Sequence, residues 1–195
     1  MDTTIGRFRF NVQFPVAGVY AGRGTQKDFA AWRSLGPDLV EVRLDHFEPK
    51  PLPEYLRLIQ SLKSVLPCPY LLTIRSRREG GGPLSKSMDD KQRYFLFDCL
   101  AEEVDGMDVE LSSPIGPKVA ALCAQRKRTL VVSVHDFKKT PPDSALSAWL
   151  KKAKAAKADI IKIACQVASL EDALRLLAVA HRNRKIPLVV VPMGD

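Results

Sequence analysis

The sequence predicts an α/β protein of the (β/α)8 TIM-barrel class, truncated after its seventh strand. Three observations predict it. Short β-rich runs alternate with amphipathic helical runs along the chain. The connections are long enough for parallel crossovers. One parity of nearly every strand is polar, where a flat sheet buried under helices on both faces would be apolar throughout.

Taken in order, the expected strands are 15–20, 38–44, 70–75, 106–111, 129–134, 159–164 and 187–191, and the expected helices 26–35, 53–65, 88–104, 116–125, 143–157 and 169–184. Met88-Asp89-Asp90 and Pro142-Asp143 have the chemistry of helix starts. Leu170, Ala173, Leu174, Leu177, Ala178 and Ala180 recur at helical spacing. Successive strand side chains point to opposite faces. Glu41, Arg43 and Asp45 therefore oppose Val40, Val42 and Leu44, and Thr73 and Arg75 oppose Leu72 and Ile74. Asp108 and Glu110 oppose Val109 and Leu111, Ser133 and His135 oppose Val132 and Val134, and Lys162 opposes Ile161 and Ile163. In a barrel the outer face packs on helices and must be apolar, whereas the inner face turns polar near the C-terminal mouth. Residues 8–14 are expected to add a short strand across the bottom. A single barrel domain over residues 1–195 follows, with the eighth strand and its helices missing and two sheet edges left open.

Lys and Arg outnumber Asp and Glu by 30 to 22, giving a net charge of +8. The excess sits in Arg126-Lys127-Arg128, Lys138-Lys139 and the helical run Lys151, Lys152, Lys154, Lys157, with no aromatic residues interleaved to stack on bases. The balance therefore points to a small anionic substrate and away from nucleic acid. Cys68, Cys99, Cys123 and Cys165 form no C-x-x-C pair, and only 3 histidines are present, so neither a metal site nor a cofactor is expected. The first ten residues have no apolar core of a signal peptide, and no run approaches the roughly 18 apolar residues of a membrane span. The expected location is the cytoplasm.

Lys162 lies in Asp159-Ile-Ile-Lys-Ile-Ala164 with apolar neighbours on both sides. A lysine at a strand end can simply snorkel to solvent. An amine drawn out of water instead loses part of its preference for the charged form, and a neutral amine is what imine formation with a ketone requires. His135 follows Val131-Val-Ser-Val134 at the C-terminal end of the preceding strand. It is either structural or a general acid and base, since imidazole titrates near neutrality. Asp136 has the wrong parity to orient it; Glu79, in the loop after the third strand, is the better partner. Glu41, Arg43 and Arg75 form either an interior ion-pair network or a substrate cradle, in which the arginine forks suit carboxylates. Gly80-Gly-Gly-Pro-Leu-Ser-Lys86-Ser87 has Ser85 where a phosphate-binding P-loop needs its second glycine, and is read as a mobile loop near the mouth with glycine hinges.

Together, Glu41-Val-Arg43-Leu-Asp45, Thr73-Ile-Arg75-Ser-Arg-Arg-Glu79-Gly-Gly81, Ser133-Val-His135-Asp-Phe137, Lys162-Ile-Ala164 and Pro192-Met193-Gly194 resemble the signature segments of type I 3-dehydroquinate dehydratase, in the same order. The resemblance implies a shikimate-pathway lyase of aromatic amino acid biosynthesis, working without metal or nucleotide and commonly as a homodimer. It implies that Lys162 forms the imine, His135 moves the proton and Glu79 orients His135. It further implies that Glu41, Arg43 and Arg75 bind the substrate and that Met193 packs against its ring. Val191 departs from the family's usual methionine. The resemblance also implies a carboxylate-gripping arginine, a serine and a glutamine beyond the matched segments. Two other readings stay open: a different imine-forming barrel lyase or aldolase, and a non-catalytic barrel serving as a binding or scaffold part.

Overall fold

The computed structural model describes residues 4–6, 8–9, 16–22 and 26–194, with no side-chain detail for 8–9 and 26–30. Thr4–Ile5 (β1) and Phe8–Arg9 (β2) pair antiparallel. The main sheet holds seven parallel strands in sequential order: Ala17–Tyr20 (β3), Leu39–Arg43 (β4), Tyr70–Thr73 (β5), Gly106–Glu110 (β6), Thr129–Asp136 (β7), Ile160–Gln166 (β8) and Leu188–Met193 (β9). The helices between them are Gln26–Leu35 (α1), Leu52–Val65 (α2), Asp90–Leu100 (α3), Gly116–Arg126 (α4), Asp143–Ala155 (α5) and Leu170–Arg182 (α6). Sequential parallel order with right-handed crossovers puts every helix on one face, and the twisted sheet curls around the other. The result is a half-barrel with β3 and β9 at its edges.

The two faces hold separate apolar clusters. Outside, Val40, Val42, Leu72, Met107, Val109, Leu130, Val132, Ile161 and Ile163 pack against Tyr55, Ile59, Leu62, Phe97, Leu122, Leu146 and Leu176 from the helices. Inside, Leu39, Leu71, Val131 and Ile160 form a small floor with Ile5 lying on it. Ile5 of β1 therefore closes part of the bottom of the hollow. Of the expected strand 8–14, Phe8–Arg9 is a strand, and residues 10–15 lie outside the described residues. Above this floor the inward positions of β4 to β7 are polar, as is Lys162 on β8, while Ala164 and the inward residues of β9 stay apolar. Among the described residues no helix is long and apolar enough to cross a membrane.

Local signals account for most boundaries. Asp89 caps α3 through the backbone N–H of Gln92 at 2.8 Å, while Gln92 Oε1 accepts from Asp89 N at 2.9 Å, a reciprocal capping box. Ser169 caps α6 through Asp172 N at 3.2 Å. Both β7 and β8 run two residues further than the sequence suggests, to Asp136 and Gln166, because their ladder continues through His135–Ala164 and Asp136–Cys165. His135 is consequently held by the sheet itself.

The glycine-rich segment is not the hinged loop that its composition suggests. It is folded into two 3-10 turns, Arg77–Glu79 and Pro83–Lys86, with Leu84 and Ser85 buried. A side chain at Gly81 would strike the Arg75 carbonyl, and one at Gly82 would come within 2.7 Å of the Asp45 carbonyl. Gly82 N also donates to Asp45 Oδ2 at 3.0 Å. These glycines permit close backbone packing over the mouth.

Arg93, 3% exposed, ties α3 to the sheet. Its guanidinium donates to Ile74 O at 2.6 Å, to Ser113 Oγ at 3.0 Å and to Glu110 Oε2. Arg93→Met should leave the buried Glu110 carboxylate short of its main counter-charge and cost roughly 3 kcal/mol. Urea unfolding measures this, and a loss under about 1 kcal/mol would show that Ser76 N, which donates to Glu110 Oε1 at 2.6 Å, and Arg75, 3.6 Å from the same oxygen, satisfy the carboxylate without it.

Candidate active site

Strand register assembles the site. Lys162 on β8 pairs with Ser133 on β7, which pairs with Glu110 on β6. Paired residues in a parallel ladder share a face, so Lys162, Ser133 and Glu110 all point into the hollow. Lys162 Nζ lies 3.5 Å from Glu41 Oε2 and 3.6 Å from Asp108 Oδ2, with its side chain 20% exposed. The apolar neighbours that suggested a dry amine, Ile161 and Ile163, belong to the outer cluster. What the amine meets is a pair of carboxylates.

Asp108 is the residue that sequence reasoning passed over as a site group. It is fully buried, accepts from Ser133 Oγ at 2.5 Å and from Arg75 NH2 at 3.1 Å, and faces Lys162. Burial alone would raise its pKa, but the charges of Arg75 and Lys162 and these two hydrogen bonds hold it well below the usual carboxylate range. The signal was available: an aspartate of inward parity, on a strand lying between those of Glu41 and Lys162.

Of the two roles expected of Arg75, the geometry shows the interior ion-pair network. The residue is 2% exposed, and its fork is committed to Ser133 Oγ at 2.6 Å, to Asp108 and, at 3.6 Å, to Glu110. It braces Asp108 from within the wall. Arg43 donates through Nε and NH2 to Asp45 at 3.0 and 2.9 Å and keeps a partly exposed edge. Burial opposes ionisation of Asp45, yet Arg43 and the Gly82 N–H pull its pKa below the ordinary value. Glu41 is fixed by Thr73 Oγ1, which donates to Oε1 at 2.7 Å.

His135 sits one inward position beyond Ser133, diagonal to Lys162 and paired with Ala164. Its Nδ1 lies 3.0 Å from Glu79 Oε2, which also accepts from the His135 backbone N–H at 3.2 Å. Glu79 Oε1 accepts from Ser112 Oγ at 2.6 Å. Burial raises the Glu79 pKa, but His135 and Ser112 more than reverse this, so the carboxylate is ionised and only accepts. The imidazole proton is thereby assigned to Nδ1, which leaves the Nε2 lone pair open. Phe137 stacks on the ring at 5.8 Å with an 11° interplanar angle. Asp136 instead accepts from Lys138 N and Lys139 N. Met193 pairs with Gln166, one inward position beyond Val191, and stands at the rim of the mouth. Among the described residues no group of His, Cys, Asp and Glu is placed to hold a metal ion.

Asp45, Glu79 and Asp108 all have folded-state pKa values below those of the unfolded chain. The unfolded state therefore binds more protons in acid, and the stability these groups contribute is present above about pH 4 and lost as pH falls further. The urea midpoint should hold between neutrality and about pH 5 and drop steeply below about pH 4. A midpoint unchanged down to about pH 3 would mean that these carboxylates are not held as described.

Comparison with known proteins agrees with this geometry. The family model described as Type I 3-dehydroquinase matches residues 23–195. A 3-dehydroquinate dehydratase of Methanosarcina acetivorans is 33% identical over 196 residues, covering 98% of this chain and 81% of that protein. One from Geobacillus thermodenitrificans is 32% identical, covering 92% of this chain and 72% of that protein. The crystal structure of the 3-dehydroquinate dehydratase from Geobacillus kaustophilus superposes with a TM-score of 0.89 at 28% identity, over 100% of this chain and 80% of that one. With the family matched along nearly the whole sequence and the inward lysine, histidine and carboxylates held in one half-barrel, the chain belongs to the type I 3-dehydroquinase family.

Proposed function

We propose that this chain dehydrates 3-dehydroquinate to 3-dehydroshikimate, a step of the shikimate pathway, through an imine on Lys162. The observation that carries the reading is the placement of Lys162 Nζ on the inner face between two carboxylates, one inward step below a histidine whose Nε2 is open. Lys162 Nζ first gives up its ammonium proton to water; the neutral amine attacks the ketone carbon, and the carbinolamine loses water to give the imine. The imine withdraws electrons and acidifies the neighbouring C–H. His135 Nε2 takes that proton, leaving an enamine. The enamine expels the hydroxyl, which leaves as water with the proton returned by His135. Hydrolysis of the resulting conjugated imine frees the product and restores the amine.

In this scheme Glu41 and Asp108 aim the amine, and Arg75 keeps Asp108 ionised. Arg43 and Glu41 offer a donor and an acceptor to substrate hydroxyls, and Met193 lies along the ring at the rim. Glu79 orients His135 and stabilises the imidazolium while it holds the proton. We read the chain, on the family resemblance, as a cytoplasmic enzyme pairing into a homodimer; sedimentation velocity tests the pairing.

Incubation with 3-dehydroquinate and borohydride should add the reduced substrate mass to Lys162, and the untrapped reaction should produce the ultraviolet absorbance of a conjugated enone. An adduct with another ketone but none with dehydroquinate would shift the assignment to a different imine-forming lyase. Neither adduct nor enone would overturn the reading. Glu79→Gln should lower kcat by roughly tenfold with imine trapping intact, less than loss of His135 itself. A larger deficit would give Glu79 a direct part in proton transfer.

A further inference from the structure

Beside the mouth lies a cavity of about 620 Å³ that none of Lys162, His135, Glu41 and Arg43 lines. Arg77, Arg78 and Lys86 reach it from the two 3-10 turns, all three exposed and without an ion pair or hydrogen bond among the described residues. Ser76, Ser112 and Ser113 add hydroxyls. Ser113 is 8% exposed; its oxygen accepts from Arg93 NH1 at 3.0 Å, so its own proton has no acceptor among the described residues. Asp89 and Asp90 also line the cavity, but Asp89 is committed to the Gln92 N–H and Asp90 lies 3.9 Å from Arg93. Three cations outside any ion pair, outnumbering the two lining carboxylates, and the hydroxyls of Ser76 and Ser113 in a concavity of small-metabolite size match a dianion.

We propose that this cavity binds the phosphate group of a small soluble phosphate monoester, at a site separate from the one that holds Lys162. The site shares a wall with the catalytic groups. Ser112 lines it and donates to one oxygen of the Glu79 carboxylate, whose other oxygen faces His135 Nδ1. A bound phosphate competes for the Ser112 proton. Glu79, relieved of that hydrogen bond, then draws harder on the imidazolium, so occupancy raises the His135 pKa. This coupling rests on the function proposed above, whereas the binding does not.

Phosphorus NMR and calorimetric titration of the intact chain with glycerol phosphate test the binding directly, with glycerol as the uncharged control. Saturable binding is expected, weakened at least tenfold in Arg77→Ala/Arg78→Ala and unchanged in Arg43→Ala. No saturable binding overturns the proposal. So does binding that Arg43→Ala abolishes, which would place the anion in the substrate site, and so does binding only to vesicles of phosphatidic acid. The coupling is read as the NMR titration of His135 with and without saturating glycerol phosphate. An upward shift that disappears in Ser112→Ala is expected; the same shift persisting in that variant refutes the route through Ser112, and its absence in the wild type refutes the coupling. None of these readouts requires turnover, so a failure of the dehydratase assignment leaves them interpretable.

Discussion

Lys162→Ala is expected to abolish the borohydride-trapped adduct and to reduce turnover of 3-dehydroquinate by more than about 10⁴-fold, because among the described residues no other amine faces the ketone at that position. The inner face supplies no substitute: Arg75 is buried in its ion pairs, and Arg43 is engaged by Asp45. A loss of activity alone would be ambiguous, since removing the ammonium leaves Glu41 and Asp108 without a partner they share. The fold should nonetheless survive. Asp108 keeps Ser133 and Arg75, and Glu41 keeps Thr73. A cooperative urea transition in the variant, together with the missing adduct, isolates the chemical defect. An adduct of undiminished yield would move the nucleophile to another lysine and take the scheme with it.

That lysine was legible in the sequence through parity. A charged residue between two isoleucines in a strand can only face the side opposite them, and the same alternation in the strands of Glu41, Asp108 and Ser133 marks which side is polar. The element order and the half-barrel follow from the same pattern, since a parallel sheet with one apolar face takes its helices on that face. Pairing between distant loops was harder to see. Glu79 could be nominated as the partner of His135, but Ser112, which holds its other oxygen, gave no periodic signal. Composition also left the purpose of Gly81 and Gly82 open. Glycine serves mobility and close approach equally well, and only the nearby Arg75 and Asp45 carbonyls decide for the second. The Arg75 guanidinium suits a substrate carboxylate and an interior ion-pair network equally well, and sequence alone does not choose. The carboxylates it found, Asp108 and Glu110, were those of its own wall.

His135→Ala should separate imine formation from proton transfer. The variant retains Lys162 with its two carboxylates, so borohydride should still trap the substrate, and the adduct should accumulate when later steps are slow. Turnover should fall by roughly 10²- to 10⁴-fold, the range that a positioned general base contributes. The change should lie in kcat, because among the described residues the ring's one hydrogen-bond partner is Glu79, and the groups proposed to grip the substrate are untouched. Backbone geometry should hold as well: the His135 N–H still donates to Glu79, and Ser112 still holds the other oxygen. Glu79 then faces the space that the imidazole vacated. Added imidazole should fill that space against the same carboxylate and recover part of the rate, with a dependence on pH that follows the free base. Near-normal turnover without added imidazole would remove His135 from the proton transfer, and the open Nε2 would then need another purpose.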